Sequence, residues 1–219
     1  MDLIHIFILS IIQGVTEFLP ISSQSHLILT SYFLGLSDQG LGFDIALHSG
    51  SLIAILIYYR KEVRSLFSLS DEGLNYLKLI IIGSIPLPII GLLFIDIVSQ
   101  NMRSVFSIAL MTILFAVILY LADLKKKEVV TKFANISIYT IVFIGFMQTL
   151  AIMPGVSRSG IVITAALLAN FSREDSIKIA FLLSIPAIFM ATVYQSMQLY
   201  EVGNIEILNE HLLGMILSF

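Results

Sequence analysis

The chain has no cysteine, and only 12% of its 219 residues are charged. The absence of cysteine excludes a disulfide framework, thiolate catalysis and a cysteine-ligated metal. Soluble domains carry about a quarter charged residues, whereas 58% of this chain is apolar and its mean hydropathy is +0.98. The composition therefore predicts an integral membrane protein. The formal net charge of −3 argues against a nucleic-acid partner.

The length sets a bound on the number of membrane crossings. At about 20 residues per spanning helix, the chain has room for six or seven helices and for no separate soluble domain. We therefore expect a single membrane domain, residues 1–219. The first segment lacks the basic leader and cleavage site of a signal peptide, so we expect it to remain in the mature chain.

Apolar runs of two lengths occur along the chain. Long runs lie at 43–59, 74–98, 104–122, 136–153 and 179–199, and short runs lie at 3–12, 27–36, 161–171 and 211–219. Ten residues rise only about 15 Å as a helix and cannot cross a hydrocarbon core of about 30 Å. We therefore predict an all-α polytopic protein whose short runs are re-entrant, paired or incomplete.

Lysine and arginine fall in clusters at 60–64, 125–132 and 173–178. Since basic residues concentrate on the cytoplasmic side, all three clusters are predicted to be cytoplasmic, in a multi-pass protein of the cell (plasma) membrane. The segment between the last two clusters must then enter the membrane and return. The same logic makes 1–36 a hairpin entered from outside. Polar breaks at Pro20–His26 and Pro154–Gly160 permit both re-entrant helical hairpins.

The two hairpins also resemble each other in sequence. Setting Pro20 on Pro154 without gaps aligns Ser23 with Ser157, Ser25 with Ser159 and Thr30 with Thr164. Together with the opposite orientations, this predicts inverted-topology repeats, repeat one at about 1–125 and repeat two at about 135–219, the second apparently short at its C-terminus. Chance serine matches among apolar residues are the alternative.

Five ionisable residues interrupt or border the apolar runs: Glu17, His26, Asp44, His48 and Arg158. An uncompensated charge there costs about 2.5–3.5 kcal/mol, so such residues mark functional sites or buried pairs. A structural ion pair is the alternative for Glu17 and Arg158, and a core position is the alternative for His26. For His48 and Asp44 we favour a role as helix partners over chemistry.

Just before the first break, Gln13 and Glu17 lie on one face of the first helix. The break itself contains Ser22, Ser23 and His26. We expect Ser22 or Ser23 to cap the helix that follows, and Ser22 to contribute to substrate binding.

The second break surrounds Arg158 with Ser157, Ser159 and Gly160. Helix-start amides, hydroxyls and a guanidinium together favour the binding of a phosphate.

Brought together, the two breaks form a phosphoryl-transfer constellation. Arg158 supplies bidentate contact and charge neutralisation. Glu17 either holds a divalent cation with Gln13 or acts as a general base. His26 either accepts a proton from Ser23 or water, or attacks phosphorus itself.

These motifs resemble the undecaprenyl-diphosphate phosphatase family, the bacitracin-resistance type of membrane phosphatase. The resemblance rests on Gln13 and Glu17 running into F-L-P-I-S-S and His26, on F-D-I-A-L-H-S-G-S-L at 43–52, on P-G-V-S-R-S-G at 154–160 and on F-L-L-S-I-P at 181–186. It implies removal of the terminal phosphate of a C55 polyprenyl diphosphate, which recycles the carrier lipid for cell-wall peptidoglycan. It also implies a divalent cation such as Mg²⁺ or Ca²⁺, membrane lipid around the protein, and a homodimer.

Carried over by position, the resemblance makes Glu17, Ser23, His26 and Arg158 catalytic, with Ser157 and Ser159 in the phosphate-binding loop. The sequence departs from the family pattern at Gln24 and Ser25, where the family has Thr-Gly, and at Val162, where it has threonine. The missing threonine hydroxyl predicts the loss of one phosphate contact, which Thr164 could replace only in part. The alternative function is a polyprenyl-phosphate transporter or flippase, because inverted repeats with midplane breaks are typical of carriers.

Overall fold

The computed structural model describes residues 1–67, 70–124, 136–202 and 205–219. These residues form eleven α-helices. The helices are α1 Leu3–Thr16, α2 Ser23–Phe33, α3 Gly40–Tyr58, α4 Arg60–Leu66, α5 Asp71–Ser84, α6 Pro86–Asn101, α7 Val105–Leu124, α8 Ile138–Gln148, α9 Arg158–Leu168, α10 Arg173–Val202 and α11 Ile205–Leu217. A 3₁₀ turn, Thr149–Ile152, extends α8.

Four stretches of the described chain are long and apolar enough to cross a membrane: Gly40–Tyr58, Gly73–Asn101, Val105–Leu124 and Arg173–Tyr200. The predicted all-helical, multi-pass membrane protein is confirmed. The run predicted at 74–98 is divided into α5 and α6, with Pro86 as the first residue of α6. Proline suits a first helical turn but cannot donate the backbone hydrogen bond that a continuous helix would need there.

Four short helices pack in pairs: α1, α2 and α9 come from short apolar runs, whereas α8 comes from the long run at 136–153. Helices α1 and α2 have 14 and 11 residues, and α8 and α9 have 11 each. Their lengths of about 16–21 Å are below the thickness of the hydrocarbon core. Helix α1 packs against α2, and α8 packs against α9. Each pair is joined at one of the two polar breaks.

The remaining contacts follow a recurring pattern. Helix α5 packs against α8 and α10, while α11 packs against α1 and α3. The α5–α8 contact needs small residues, because a Cβ added to Gly145 would lie 2.3 Å from the carbonyl oxygen of Gly83. Close backbone approach at small residues is the usual way in which membrane helices associate.

The basic clusters lie as far as they are described on one surface. Arg60, Lys61 and Lys178 line the same surface depression, although they come from different parts of the chain. The lysine cluster, Lys125, Lys126, Lys127 and Lys132, lies outside the described residues.

Candidate active site

Glu17 lies at the C-terminal end of α1 and its side chain is buried. The helix ends at Thr16 because Pro20 has no backbone N–H with which to bond to the carbonyl four residues earlier. The carboxylate is nevertheless well supplied with donors. Its Oε2 accepts from Gln13 Nε2 at 3.0 Å and from Ser23 Oγ at 2.7 Å, and its Oε1 accepts from Arg158 Nη2.

The second break is a tight turn followed by a capped helix. Gly155 has φ +101°, and a Cβ there would lie 2.6 Å from the carbonyl oxygen of Ile108, so only glycine fits. Ser157 is the N-cap of α9, and its Oγ accepts from Gly160 N–H at 3.1 Å. This cap places the guanidinium of Arg158 at the first position of the helix.

Two contacts join the breaks directly. Ser159 Oγ donates to the carbonyl of Leu19 at 3.2 Å, and Arg158 forms the ion pair with Glu17. Because the ion pair uses only one end of the guanidinium, the second amino group, Nη1, is buried without a hydrogen-bond partner among the described residues. An unsatisfied buried donor is costly unless a ligand supplies its acceptor. One end of the Arg158 guanidinium is therefore occupied by Glu17, and the other end is positioned to donate to an acceptor.

His48 also reaches the carboxylate, so the favoured role as a helix partner places it within the site. Its Nε2 lies 3.2 Å from Glu17 Oε2 and 3.3 Å from Ser23 Oγ. Its Nδ1 lies 2.6 Å from the carbonyl oxygen of Asp44, which can only accept, so Nδ1 carries a hydrogen. The sequence signal that pointed to His48 was its position as an ionisable side chain within the predicted spanning run at 43–59.

His26 lies elsewhere than expected. Its Nδ1 donates to the carbonyl of Ser22 at 2.9 Å, and it is absent from the described residues that line the cavity beside Glu17. The four-residue spacing to Ser22 explains this, because a histidine in the first turn of α2 can reach back to the helix entrance. The structure thus brings together Glu17, Ser23 and Arg158 but leaves His26 to one side.

Ser22 precedes α2, but it does not act as the predicted cap. Its backbone is left-handed (φ 59°), and its hydroxyl bonds to Ser25 Oγ at 2.9 Å and not to a backbone amide. The expected cap by Ser23 is also wrong, since the Ser23 hydroxyl donates to Glu17.

Asp44 fits the favoured role as a structural partner. Its carboxylate accepts from Gln39 Nε2 at 2.6 Å and from Arg103 Nη2 at 3.1 Å. Arg103 also holds Asp38 through two hydrogen bonds. Burial opposes the ionisation of Asp38, but the hydrogen bonds from Arg103 and Gly40 N–H lower its pKa overall. This network fixes the start of α3, from which His48 reaches the site.

Val162, one of the departures from the family pattern, points into the apolar core. It is fully buried and packs in a cluster with Ile141, Ile144 and Leu182. Thr164, considered as a replacement donor, bonds to the carbonyl of Gly160 at 2.7 Å. Neither residue lines the cavity.

The site opens into a cavity of about 580 Å³. Its polar end comprises Glu17, Ser22, Ser23, Gln24, His48, Ser157, Arg158 and Ser159. Apart from Asp44, the rest is largely apolar and is lined mainly by α6 and α10. A charged head group and a long hydrocarbon chain on the same molecule match the two parts of this cavity.

Comparison with known proteins agrees with this geometry. Residues 6–219 match the family described as Bacitracin resistance protein BacA. Undecaprenyl-diphosphatase 1 of Pseudoalteromonas translucida is 42% identical over 230 residues, which cover 100% of this chain and 85% of the relative. The undecaprenyl-diphosphatase of Saccharophagus degradans is 41% identical over 213 residues, covering 94% and 80%. That of Elusimicrobium minutum is 46% identical over 201 residues, covering 88% and 76%. The chain belongs to the bacitracin resistance protein BacA family.

Proposed function

We propose that this protein hydrolyses undecaprenyl diphosphate to undecaprenyl phosphate and inorganic phosphate, and so recycles the carrier lipid for cell-envelope polymers. The observation that carries the proposal is the cluster of Glu17, Ser23 and Arg158 at the polar end of an apolar cavity. The membership of the BacA family and the names of the relatives support the same reaction.

The contacts favour Ser23 over His26 as the nucleophile. Ser23 Oγ lines the cavity and donates to Glu17, a carboxylate that can accept its proton. In the proposed reaction Ser23 Oγ bonds to the terminal phosphorus, while the bond to the bridging oxygen breaks and undecaprenyl phosphate leaves. Water then attacks phosphorus, the Oγ–P bond breaks, and Ser23 recovers its proton from Glu17. In this proposal His26 stabilises the start of α2 through its hydrogen bond to the carbonyl of Ser22.

Arg158 neutralises charge on the transferred phosphoryl group. Phosphoryl transfer depends mainly on positioning and electrostatic stabilisation. The unpaired Nη1 is available at once, and Nη2 becomes available when Arg158 exchanges Glu17 for the phosphate. His48, Gln13 and Ser23 then continue to hold the carboxylate. Ser157, Ser159 and Gly160 support the phosphate-binding end of α9.

The donor set at Glu17 fits a hard divalent cation such as Mg²⁺ or Ca²⁺. Gln13 Oε1 is buried without a hydrogen-bond partner among the described residues, next to an amide nitrogen that bonds to Glu17. The described part of the chain has no group of three or more acidic, histidine or cysteine residues that could hold a metal. Glu17 and Gln13 would therefore hold the cation only together with phosphate oxygens and water. When bound, it would neutralise negative charge on the diphosphate.

We also infer that α1–α2 and α8–α9 are re-entrant hairpins in inverted repeats within one membrane domain. Their shortness supports re-entry, and the packing of α11 on α1 and α3, which parallels that of α5 on α8 and α10, supports the repeat. The shared surface of Arg60, Lys61 and Lys178 supports a common side for two basic clusters. Because the chain has no cysteine of its own, single cysteines introduced into each hairpin can be labelled without background. Their accessibility from each side of the membrane tests the orientation.

The transporter alternative is not favoured. A carrier needs to bind the head group but needs no hydroxyl held against a carboxylate. In addition, the relatives described above are named as diphosphatases.

Phosphate release from undecaprenyl diphosphate in detergent tests the proposal. We expect release by the wild type, near-complete loss in Glu17→Ala and Arg158→Ala, and normal release in the surface control Lys61→Ala. Absence of release from a monodisperse wild type would contradict hydrolysis, and unchanged release in both site variants would contradict the site.

A further inference from the structure

The apolar part of the cavity is lined mainly by two helices, α6 and α10. Helix α6 contributes Leu87, Pro88, Gly91, Leu92 and Ile95. These positions recur at the spacing of a single helix face. Helix α10 contributes the continuous stretch from Ala187 to Ala191, together with Val193, Tyr194 and Met197. Since the cavity is continuous with Glu17 and Arg158, a molecule whose head group lies at the polar end extends its remainder along this groove.

Gly91 occupies the middle of the α6 face, where glycine costs helix stability relative to alanine. Its backbone needs no left-handed conformation. Packing does not require it either, because an added Cβ meets no atom within 4 Å. Other helix glycines are different: a Cβ at Gly83 would lie 2.8 Å from Ile141 Cγ1, and one at Gly214 would lie 3.0 Å from Leu47 Cδ2. The missing side chain at Gly91 leaves cavity space open.

Small residues also face the groove from α10. Ala187 and Ala191 lie one helical turn apart among its lining residues. A leucine at Gly91 or Ala191 would therefore project into the groove. The polar residues around Glu17 belong to other helices, α1, α2, α3 and α9, so such a change leaves the head-group contacts in place.

We propose that the isoprenoid chain of the substrate lies between α6 and α10 and that Gly91 determines whether a long chain can pass. The proposal rests on the proposed diphosphatase function and adds the path of the lipid chain and its specificity-determining residue. Apolar chemistry of the lining and continuity with the anion-binding end both favour a hydrocarbon chain as the occupant.

Steady-state kinetics with undecaprenyl diphosphate in detergent micelles test the path. Gly91→Leu and Ala191→Leu each fill the groove from a different helix. The control, Ala116→Leu, adds the same bulk to an exposed position of α7 that does not line the cavity. Size-exclusion chromatography checks that each variant is folded. If Gly91→Leu is not, the smaller Gly91→Val tests the role of Gly91, while Ala191→Leu tests the path.

We expect KM to rise about tenfold in the groove variants, the scale of a misfit in an apolar pocket, with kcat within twofold of the wild type. An unchanged KM in the folded groove variants, a loss of kcat at unchanged KM, or an equal rise of KM in Ala116→Leu would overturn the proposed path. These results leave hydrolysis by the wild type intact. An inactive wild type would instead overturn the diphosphatase function.

Discussion

The two breaks that meet at the site begin their second helices in different ways. Ser157 has an extended backbone (φ −64°, ψ 124°) and caps α9 through Gly160 N–H. Ser22, at the start of α2, has φ 59° and makes no side-chain cap. The break at 154–160, here called the basic break, thus uses its first serine, Ser157, to cap the helix that begins with Arg158. The break at 20–26, which follows Glu17 and is here called the acidic break, leaves Ser22 without a cap role and uses its second serine, Ser23, to contact Glu17. In the proposed reaction, one break holds the anion and the other reacts with it.

Removing the hydroxyl of the acidic break should have the largest effect. Ser23→Ala deletes the proposed nucleophile, so we expect kcat to fall by about 10³-fold or more. Ser25→Ala is the matched control, because Ser25 lies on the same helix but bonds only to Ser22, and its activity should stay within a few-fold. Phosphate release measures both. Comparable activity in the two variants would assign the attack to another group.

A smaller but still large loss of activity is expected when Arg158 is replaced by lysine, which keeps the positive charge but not the planar guanidinium. In Arg158→Lys a single ammonium cannot bond to Glu17 and phosphate as a planar guanidinium can, so kcat/KM should fall by about 10²-fold. The exposed Arg173→Lys serves as the control. Near-native turnover in Arg158→Lys would show that only a point charge is needed.

Variants of His48 test whether its contact with the Glu17 carboxylate contributes to activity. His48→Ala removes a partner of Glu17, and we expect kcat to fall by about tenfold or more. His48→Gln keeps an N–H donor and should recover part of the loss, whereas a purely space-filling role would predict equal loss in Gln and Ala variants. Initial rates at saturating substrate separate these results.

The smallest expected effect is on stability. Ser157→Ala removes a helix cap and should lower the free energy of unfolding by about 1 kcal/mol. Ser22→Ala removes no cap, and in a Ser25→Ala background, where the Ser22–Ser25 hydrogen bond is already absent, its further effect should stay below about 0.5 kcal/mol. Thermal unfolding in detergent compares the two variants. Equal destabilisation would mean that the two helix starts do not differ as described.

Much of this arrangement could be predicted from the sequence, because composition and spacing report local properties. The apolar runs identified the spanning helices, and the charges within the membrane pointed to Glu17 and Arg158. The division of the helix at Pro86 was missed because the run at 74–98 was judged by its hydropathy, although the proline is itself a sign of a helix break. Side-chain direction was the other gap. Spacing within one segment could not show that His48 on α3 faces Glu17 while His26 turns back to Ser22.

Val162 illustrates the same limit. Its alignment with a family threonine suggested a missing phosphate contact, yet the side chain lies in the core beside Ile144. The sequence gives the position of Val162 along the helix. The direction of its side chain depends on how α9 packs against α8 and α10.

The central claim is that both breaks contact the same phosphate. An experimental structure with a polyprenyl methylenediphosphonate, in which carbon replaces the bridging oxygen, tests it most directly. We predict that the terminal phosphonate lies between the guanidinium of Arg158 and Ser23 Oγ, with Arg158 turned from Glu17 to the ligand. A phosphonate bound away from both residues, with the Glu17–Arg158 ion pair unchanged, would contradict the account.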